Sequence, residues 1–342
     1  QASMKKYTLA VATLILLVLL SGATTLGLLD PYYELVLMFM GVNIILCASL
    51  NLVNGYMGEF SCGHAGFMAV GAYVSSVLSV WLFTKDGGFG AALLSPNLAV
   101  CLFPVILLIG GLAAAIAGLL VAIPSFRTRG DYLAIITLAV NYIVKSAIEN
   151  TEAVGGARGF MGMKKVVDYM TDVANLPWMM IWVIIGTVFT LLVIRRFVSS
   201  TYGKGIVAIR DDEIAAELMS VNTRRLKMVA FMLSSGLAGV AGGLFAHILD
   251  YINPGSFTIM KSTEALVMVY LGGMGSLSGS VLSAAAFTLL LEILRPLGVI
   301  KWVVVPFMLI LLMLFRPEGI MGSRELSDFF PRLRAYYRPS GE

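Results

Sequence analysis

The feature that most constrains this chain is a succession of about ten apolar stretches, each near the ~20 residues an α-helix needs to cross a bilayer core. They cover approximately 7–29, 32–53, 61–83, 98–122, 131–149, 178–197, 227–249, 260–275, 279–295 and 299–315. Inside lipid every backbone N–H and C=O must find its partner within the protein, so such stretches become helices. The expectation is an all-α polytopic membrane protein with about ten transmembrane helices. Composition agrees: 58% of the 342 residues are hydrophobic and only 13% are charged. That is about half the usual charged share, too little polar surface for a soluble enzyme. High apolar content with a net charge of only +4 also excludes a disordered chain.

Gln1-Ala2-Ser3 precede Met4 and read as a scar ahead of the start. Residues 4–322 read as a single transmembrane domain and 323–342 as a cytoplasmic C-terminal tail. Lys5-Lys6, the apolar run Leu9 to Leu20 and Ser21-Gly22-Ala23 imitate a signal peptide. They are read here as a retained first helix. With the N-terminus cytoplasmic, inside segments hold sixteen Lys and Arg. Outside segments hold seven: Lys85, Arg158, Lys164, Lys165, Lys261, Arg295 and Lys301. Lys145 falls within a span. The asymmetry predicts both termini inside and an even number of spans.

Several chemistries lack their residues. Gly203-Lys204 has no glycine five positions before it, so there is no phosphate-cradling Walker loop. His64 and His247 are the two histidines, too few for a His-rich metal site, and each reads as a hydrogen-bonded packing residue. Cys47, Cys62 and Cys101 form no C-x-x-C pair and read as small core residues. An intramembrane serine protease built on Ser278 fails because residue 276 is Ser where its signature needs Gly. Glu34, Glu59, Asp131, Glu149 and Asp250 lie near predicted span ends. Glu264 stands three residues from Lys261 and Glu292 three from Arg295, spacings that let opposite charges meet on one helix face. This argues against an ion-coupled carrier, since mid-membrane charge costs about 2.5–3.5 kcal/mol per residue.

Small residues recur on chosen helices: Ser235, Gly239 and Gly243; Gly275 and Gly279; Gly63, Gly66 and Gly71. Such spacing allows close helix contact, and a glycine-rich helix can also mark a break lining a substrate path. The longest outer loop, about 150–177, carries Val154-Gly155-Gly156-Ala157-Arg158-Gly159. The longest inner loop, about 197–226, is strongly charged. In it Asp211 or Asp212 can cap a short helix and Glu213 sits in its first turn. Ile214, Leu218 and Val221 then form one apolar stripe. The stripe can bury either on the protein's own cytoplasmic face or in a groove of a partner.

This inner segment, Ala208-Ile209-Arg210-Asp211-Asp212-Glu213-Ile214-Ala215-Ala216-Glu217-Leu218-Met219-Ser220-Val221-Asn222, resembles the coupling segment of bacterial branched-chain amino acid ABC permeases. Four more stretches resemble that family in the same order. They are Ser61-Cys62-Gly63-His64-Ala65-Gly66-Phe67 with Gly71-Ala72-Tyr73, and Arg127-Thr128-Arg129-Gly130-Asp131-Tyr132-Leu133-Ala134-Ile135. The late loop Gly272-Gly273-Met274-Gly275-Ser276-Leu277-Ser278-Gly279 and Phe315-Arg316-Pro317-Glu318-Gly319 complete the set. The second of these and the chain length favour the LivM type of the LivH/LivM family. Departures are Ser220 where glycine is usual, Ser280 where proline is common and Val154 where threonine is usual.

The resemblance implies a permease subunit of an importer, not an enzyme, in the bacterial inner membrane. It would work with a second permease of the LivH type, two cytoplasmic ATPases and an extracytoplasmic substrate-binding protein. It would bind no nucleic acid. No cofactor is expected in this chain; ATP and Mg would sit on the ATPases. The coupling helix, about 211–219, would dock one ATPase through Arg210, Asp211, Asp212, Glu213, Ile214, Ala215, Ala216, Glu217, Leu218 and Met219. Substrates of the family include leucine, isoleucine and valine, other neutral amino acids, short amides and urea. A zwitterion needs polar groups that weakly replace its hydration. By position these are Asn43, Asn51, Ser61 and His64, with the glycines Gly63, Gly272, Gly273 and Gly275. An inverted repeat is expected between the second to fifth spans and the seventh to tenth.

Overall fold

The computed structural model describes residues 30–84, 94–95, 98–126, 132–300 and 319–322, with single positions in 22–24 and 303–315. Helices α1 (Pro31–Asn51), α2 (His64–Phe83), α3 (Ala99–Ser125) and α4 (Tyr132–Glu149) come first. Then follow α5 (Met163–Val173), α6 (Trp178–Ser199), α7 (Thr201–Asp211), α8 (Glu213–Leu218), α9 (Thr223–Leu249), α10 (Ile259–Gly272) and α11 (Leu277–Ile293). Among the described residues six helices are long and apolar enough to cross a membrane: α1 with its π-helical extension Leu52–Tyr56, then α2, α3, α4, α6 and α9. The chain is therefore an all-α polytopic membrane protein. The first and tenth predicted spans, 127–131 of the Arg-rich motif, and the tail 323–342 lie outside the described residues.

Helix α9 is the central post and packs against α3, α2 and α1. Its small residues make that possible. A Cβ on Gly71 would lie 2.2 Å from the Gly239 carbonyl oxygen, and one on Gly118 would lie 1.9 Å from Ser235 Oγ. On α3 the inward face is Gly110, Gly111, Ala114 and Gly118, while Leu108, Leu112, Ile116 and Leu120 point outward. Large aliphatics outside and small residues inside is how helices pack in lipid, where tight backbone approach replaces the hydrophobic drive. The same inversion corrects the reading of Cys101, which is exposed on α3 instead of buried, whereas Cys47 is buried and Cys62 half-buried.

The eighth predicted span is corrected. Helix α10 has 14 residues, about 21 Å of rise, short of a ~30 Å core. The ninth is α11, with 17 residues. The C-terminal motif explains how α10 ends. Ile320 N donates to Leu271 O at 2.8 Å and Met321 N to Gly272 O at 3.1 Å, capping carbonyls the helix itself leaves open. Gly273 turns the chain there with φ +107, and a Cβ on it would meet Gly322 O at 2.3 Å. Two motifs that are far apart in sequence are thus one structural joint.

The loop 150–177, expected outside, contains an unexpected helix, α5. Met163, Val166 and Met170 are buried at i, i+3 and i+7, a helical stripe that was present in the sequence. A two-residue antiparallel pairing, β1 (Phe160–Met161) with β2 (Tyr251–Ile252), ties this loop to the chain leaving α9. Asp250, just before β2, is held above the usual carboxylate range, chiefly by burial and also by Asp168; Lys164 opposes the shift.

Candidate functional site

The polar residues singled out in the sequence converge on two interruptions of helix. The first lies between α1 and α2. The α-helix ends at Asn51, passes into the π turn Leu52–Tyr56, and 57–63 run non-helically before α2 starts at His64. Irregular backbone at membrane depth survives only when protein surrounds it or it lines a cavity. Here Asn51 holds the turn to the late glycine loop. Its Nδ2 donates to Ser276 O at 2.9 Å and Ser280 Oγ at 2.7 Å, and its Oδ1 accepts from Gly275 N at 3.0 Å. The serine at 280, where proline is common in relatives, therefore supplies an acceptor to Asn51. Gly275 and Gly55 approach so closely that a Cβ on Gly55 would lie 2.3 Å from Gly275 N.

Ser61 N donates to Asn54 Oδ1 at 3.3 Å. Ser61 Oγ and Asn54 Nδ2 are buried and have no hydrogen-bond partner among the described residues. His64 Nε2 lies 2.7 Å from Ser49 Oγ, and Gly63 packs against the Thr137 backbone of α4. His247 is held by Ser79 Oγ at 2.9 Å and the Gly243 carbonyl at 2.8 Å. Both histidines are packing residues. Ser278 Oγ lies 3.3 Å from Ser276 Oγ.

The second interruption lies between α9 and α10. The chain turns through 250–258, and α10 begins beside the middle of α1. Lys261 Nζ donates to Glu264 Oε2 at 2.9 Å and to Asn43 Oδ1 at 3.4 Å. Asn43 Nδ2 in turn donates to Thr288 Oγ1 of α11 at 2.9 Å. Lys261 is thus inside the bundle and not on an outer loop as the charge count assumed. Its charge is neutralised by Glu264, as the three-residue spacing anticipated, and Glu292 pairs likewise with Arg295 at 3.0 Å. The two interruptions touch: Ala65 N at the start of α2 donates to Ser262 Oγ of α10 at 3.0 Å. Asn51, Ser61 and His64 thus lie at or beside the first interruption and Asn43 beside the second, while Gly272, Gly273 and Gly275 act as backbone contacts. Sequence reasoning missed Asn54, Lys261 and Ser262; Lys261 was hidden because it was assigned to a loop.

The charged inner segment is two helices and not one. Arg210 and Asp211 close α7, and Asp212 caps α8, its Oδ1 accepting from Ile214 N at 2.9 Å and Ala215 N at 3.0 Å. The exit of α8 is a paired-bond C-cap: Ser220 N donates to Glu217 O at 2.9 Å and Val221 N to Ala216 O at 3.1 Å. Ser220 takes φ +63 to do so, a left-handed conformation that glycine adopts without a Cβ clash. Of the predicted stripe, Ile214 is 72% and Leu218 80% exposed, with Met219 also at 80%. Ala216 alone of α8 is buried. Ile214 and Leu218 do not bury on the protein's own face, whereas Val221, the third member of the stripe, is half-buried beside Gly205.

Similarity to known proteins follows the same map. The family model described as branched-chain amino acid transport system / permease component matches residues 32–315. The chain is 32% identical over 304 residues to the high-affinity branched-chain amino acid transport system permease protein LivM of Escherichia coli (strain K12), covering 82% of this chain and 68% of that one. It is 20% identical over 326 residues to a probable LivM of Methanocaldococcus jannaschii, with coverage of 86% and 94%. It is 24% identical over 316 residues to LivH of Escherichia coli (strain K12), with coverage of 86% and 97%. No solved structure matches the chain.

Proposed function

Because the chain belongs to the branched-chain amino acid transport permease family, we propose that it forms half of the translocation pathway of an ATP-driven importer and docks one cytoplasmic ATPase through α8. It is a membrane permease component, and ATP hydrolysis in this reading belongs to the partner subunits. The observation that carries the docking is the capped helix Glu213–Leu218 with Ile214, Leu218 and Met219 turned outward. Three apolar side chains standing free beside charged neighbours are an unfilled contact, and a groove on an ATPase fills it. A second permease of the LivH type and an extracytoplasmic binding protein complete the assembly.

The reading places both termini in the cytoplasm, about ten apolar segments in the inner membrane with α10 entering it without crossing, and an inverted repeat. Two half-buried helix starts support the repeat. Helix α2 starts inside the bundle after α1, α10 does so after α9, and the two starts meet at Ala65 and Ser262. The cargo proposed is a branched-chain or related neutral amino acid. A zwitterion carries no net charge, and the zone around Asn43, Asn51 and Ser61 offers amides and hydroxyls with its one ion pair neutralised.

The test is the double substitution Ile214→Asp/Leu218→Asp. Charge placed in an apolar contact is costly unless paired, so the ATPase should fail to copurify. The permease should melt as the wild type does, because both side chains are exposed. Normal melting with full ATPase binding and full uptake would remove α8 as the docking element.

A further inference from the structure

We propose that Lys227 and Glu59 are the positioning link that carries movement of the docking helix α8 to the interruption between α1 and α2; this rests on the docking reading above. Lys227 stands in the second turn of α9, and its side chain is 8% exposed. Its Nζ lies 2.6 Å from Glu59 Oε1 and 2.8 Å from Glu213 Oε1. One ammonium is thus shared between two carboxylates from two different elements. Glu213 is the first residue of α8, and Glu59 belongs to the irregular run 57–63.

A second tether runs parallel to the first. Arg210, near the end of α7 and two residues ahead of Asp212, the cap of α8, donates from Nη1 to Gly55 O at 3.2 Å. Its aliphatic stem covers Gly58, where a Cβ would lie 2.6 Å from Arg210 Cγ. Gly55 lies within the π turn and Gly58 has φ +76. The first tether ends on the irregular run 57–63 and the second on the π turn just before it, and they begin at the two ends of the α7–α8 joint. A third contact, Thr223 Oγ1 to Glu217 Oε1 at 3.0 Å, fixes α8 to the start of α9.

This layout fits transmission better than simple bracing. A regular helix resists local change because each backbone bond supports the next, whereas a π turn followed by extended chain has few such bonds to break. Pulling on Glu59 and Gly55 moves backbone that in turn holds Asn51, Asn54 and Ser61. Those residues lie in the zone where the two interrupted helices meet. A displacement of α8 by its ATPase thus reaches the polar zone through two short polar links and no long lever.

The experiment uses the full transporter in proteoliposomes with its binding protein. Readouts are ATPase copurification, thermal melting, and amino acid taken up per ATP hydrolysed. Lys227→Met should keep the ATPase bound and lower uptake per ATP at least tenfold. That variant leaves Glu59 partly buried and unpaired, so the second variant is Glu59→Gln/Lys227→Met, which removes both buried charges and leaves only half-exposed Glu213. It should melt near the wild type and show the same loss. The full reversal Glu59→Lys/Lys227→Glu/Glu213→Lys restores both ion pairs and should recover most of the coupling, whereas transposing 59 and 227 alone sets a new carboxylate at position 227 against Glu213 and should not. A Glu59→Gln/Lys227→Met protein that binds ATPase and transports at the wild-type ratio overturns the link. Failure of the wild-type chain to bind ATPase at all overturns instead the docking reading beneath it.

Discussion

Replacing Gly71 with alanine tests the packing that holds the bundle together. In an isolated helix the change is favourable by about 1 kcal/mol, because alanine restricts the unfolded chain and suits the helix. In this protein the new methyl would lie 2.2 Å from Gly239 O and 2.3 Å from Gly239 Cα, backbone atoms that cannot rotate away. Ordinary contact begins at 3.4 Å, so α2 and α9 must part by about 1 Å, enough to forfeit a quarter to a half of each dispersion contact along the seam. Overpacking of this kind costs about 1–3 kcal/mol and sometimes more. The expected net effect is a destabilisation of about 1–2 kcal/mol, read as a lower melting temperature in detergent. Gly205→Ala is the matched control. Its methyl would meet only the tip of Leu226 at 2.6 Å, an end that can swing aside, so the propensity gain should survive and stability should hold or rise. Equal melting of the two variants, or a Gly71→Ala protein as stable as the wild type, would refute the close approach of α2 and α9.

Ser220→Gly should stabilise the protein by about 0.5–1 kcal/mol, because glycine holds the left-handed C-cap of α8 without a Cβ clash; a drop in melting temperature would contradict it. Asp250→Asn tests the half-buried carboxyl. Its raised folded pKa means the folded state favours the protonated form, so its contribution is present at low pH and lost as pH rises through the folded pKa. The asparagine variant should therefore melt higher than the wild type at neutral pH, and the gain should vanish in acid; a gain that is the same at both ends would refute it. In a cysteine-free background, Ala157→Cys should react with an impermeant thiol reagent added outside, while Met219→Cys should not. The reverse pattern would overturn the proposed orientation.

Much of the molecule was legible in the sequence. Hydropathy located all six long helices within a few residues, and cap chemistry located the inner helix to within a residue, Asp211 or Asp212, while leaving open where its apolar stripe would bury. Those features depend on what a residue does with its own neighbours in the chain. The functional zone was only half legible. Asn43, Asn51, Ser61 and His64 stood out as polar groups in apolar surroundings, but nothing local tied Asn51 to Gly275 or Lys261 to Asn43, partners more than two hundred residues away. The helix α5 was legible and overlooked, its stripe short and set among glycines.

What the sequence alone determined is that this chain must live in a membrane, where its six long apolar helices lie, and which segment stays charged and outside the spans. A bilayer enforces those by length, hydrophobicity and backbone satisfaction, all of them properties of contiguous residues. Only the tertiary structure decided which face of each helix looks inward. Lipid and protein core are nearly equal in polarity, so an apolar side chain carries no address. Cys101 and Leu112 point out, Gly71 and Gly118 point in, and α10 stops short. Each follows from backbone contacts between helices distant in sequence, where the absence of a methyl group is the information.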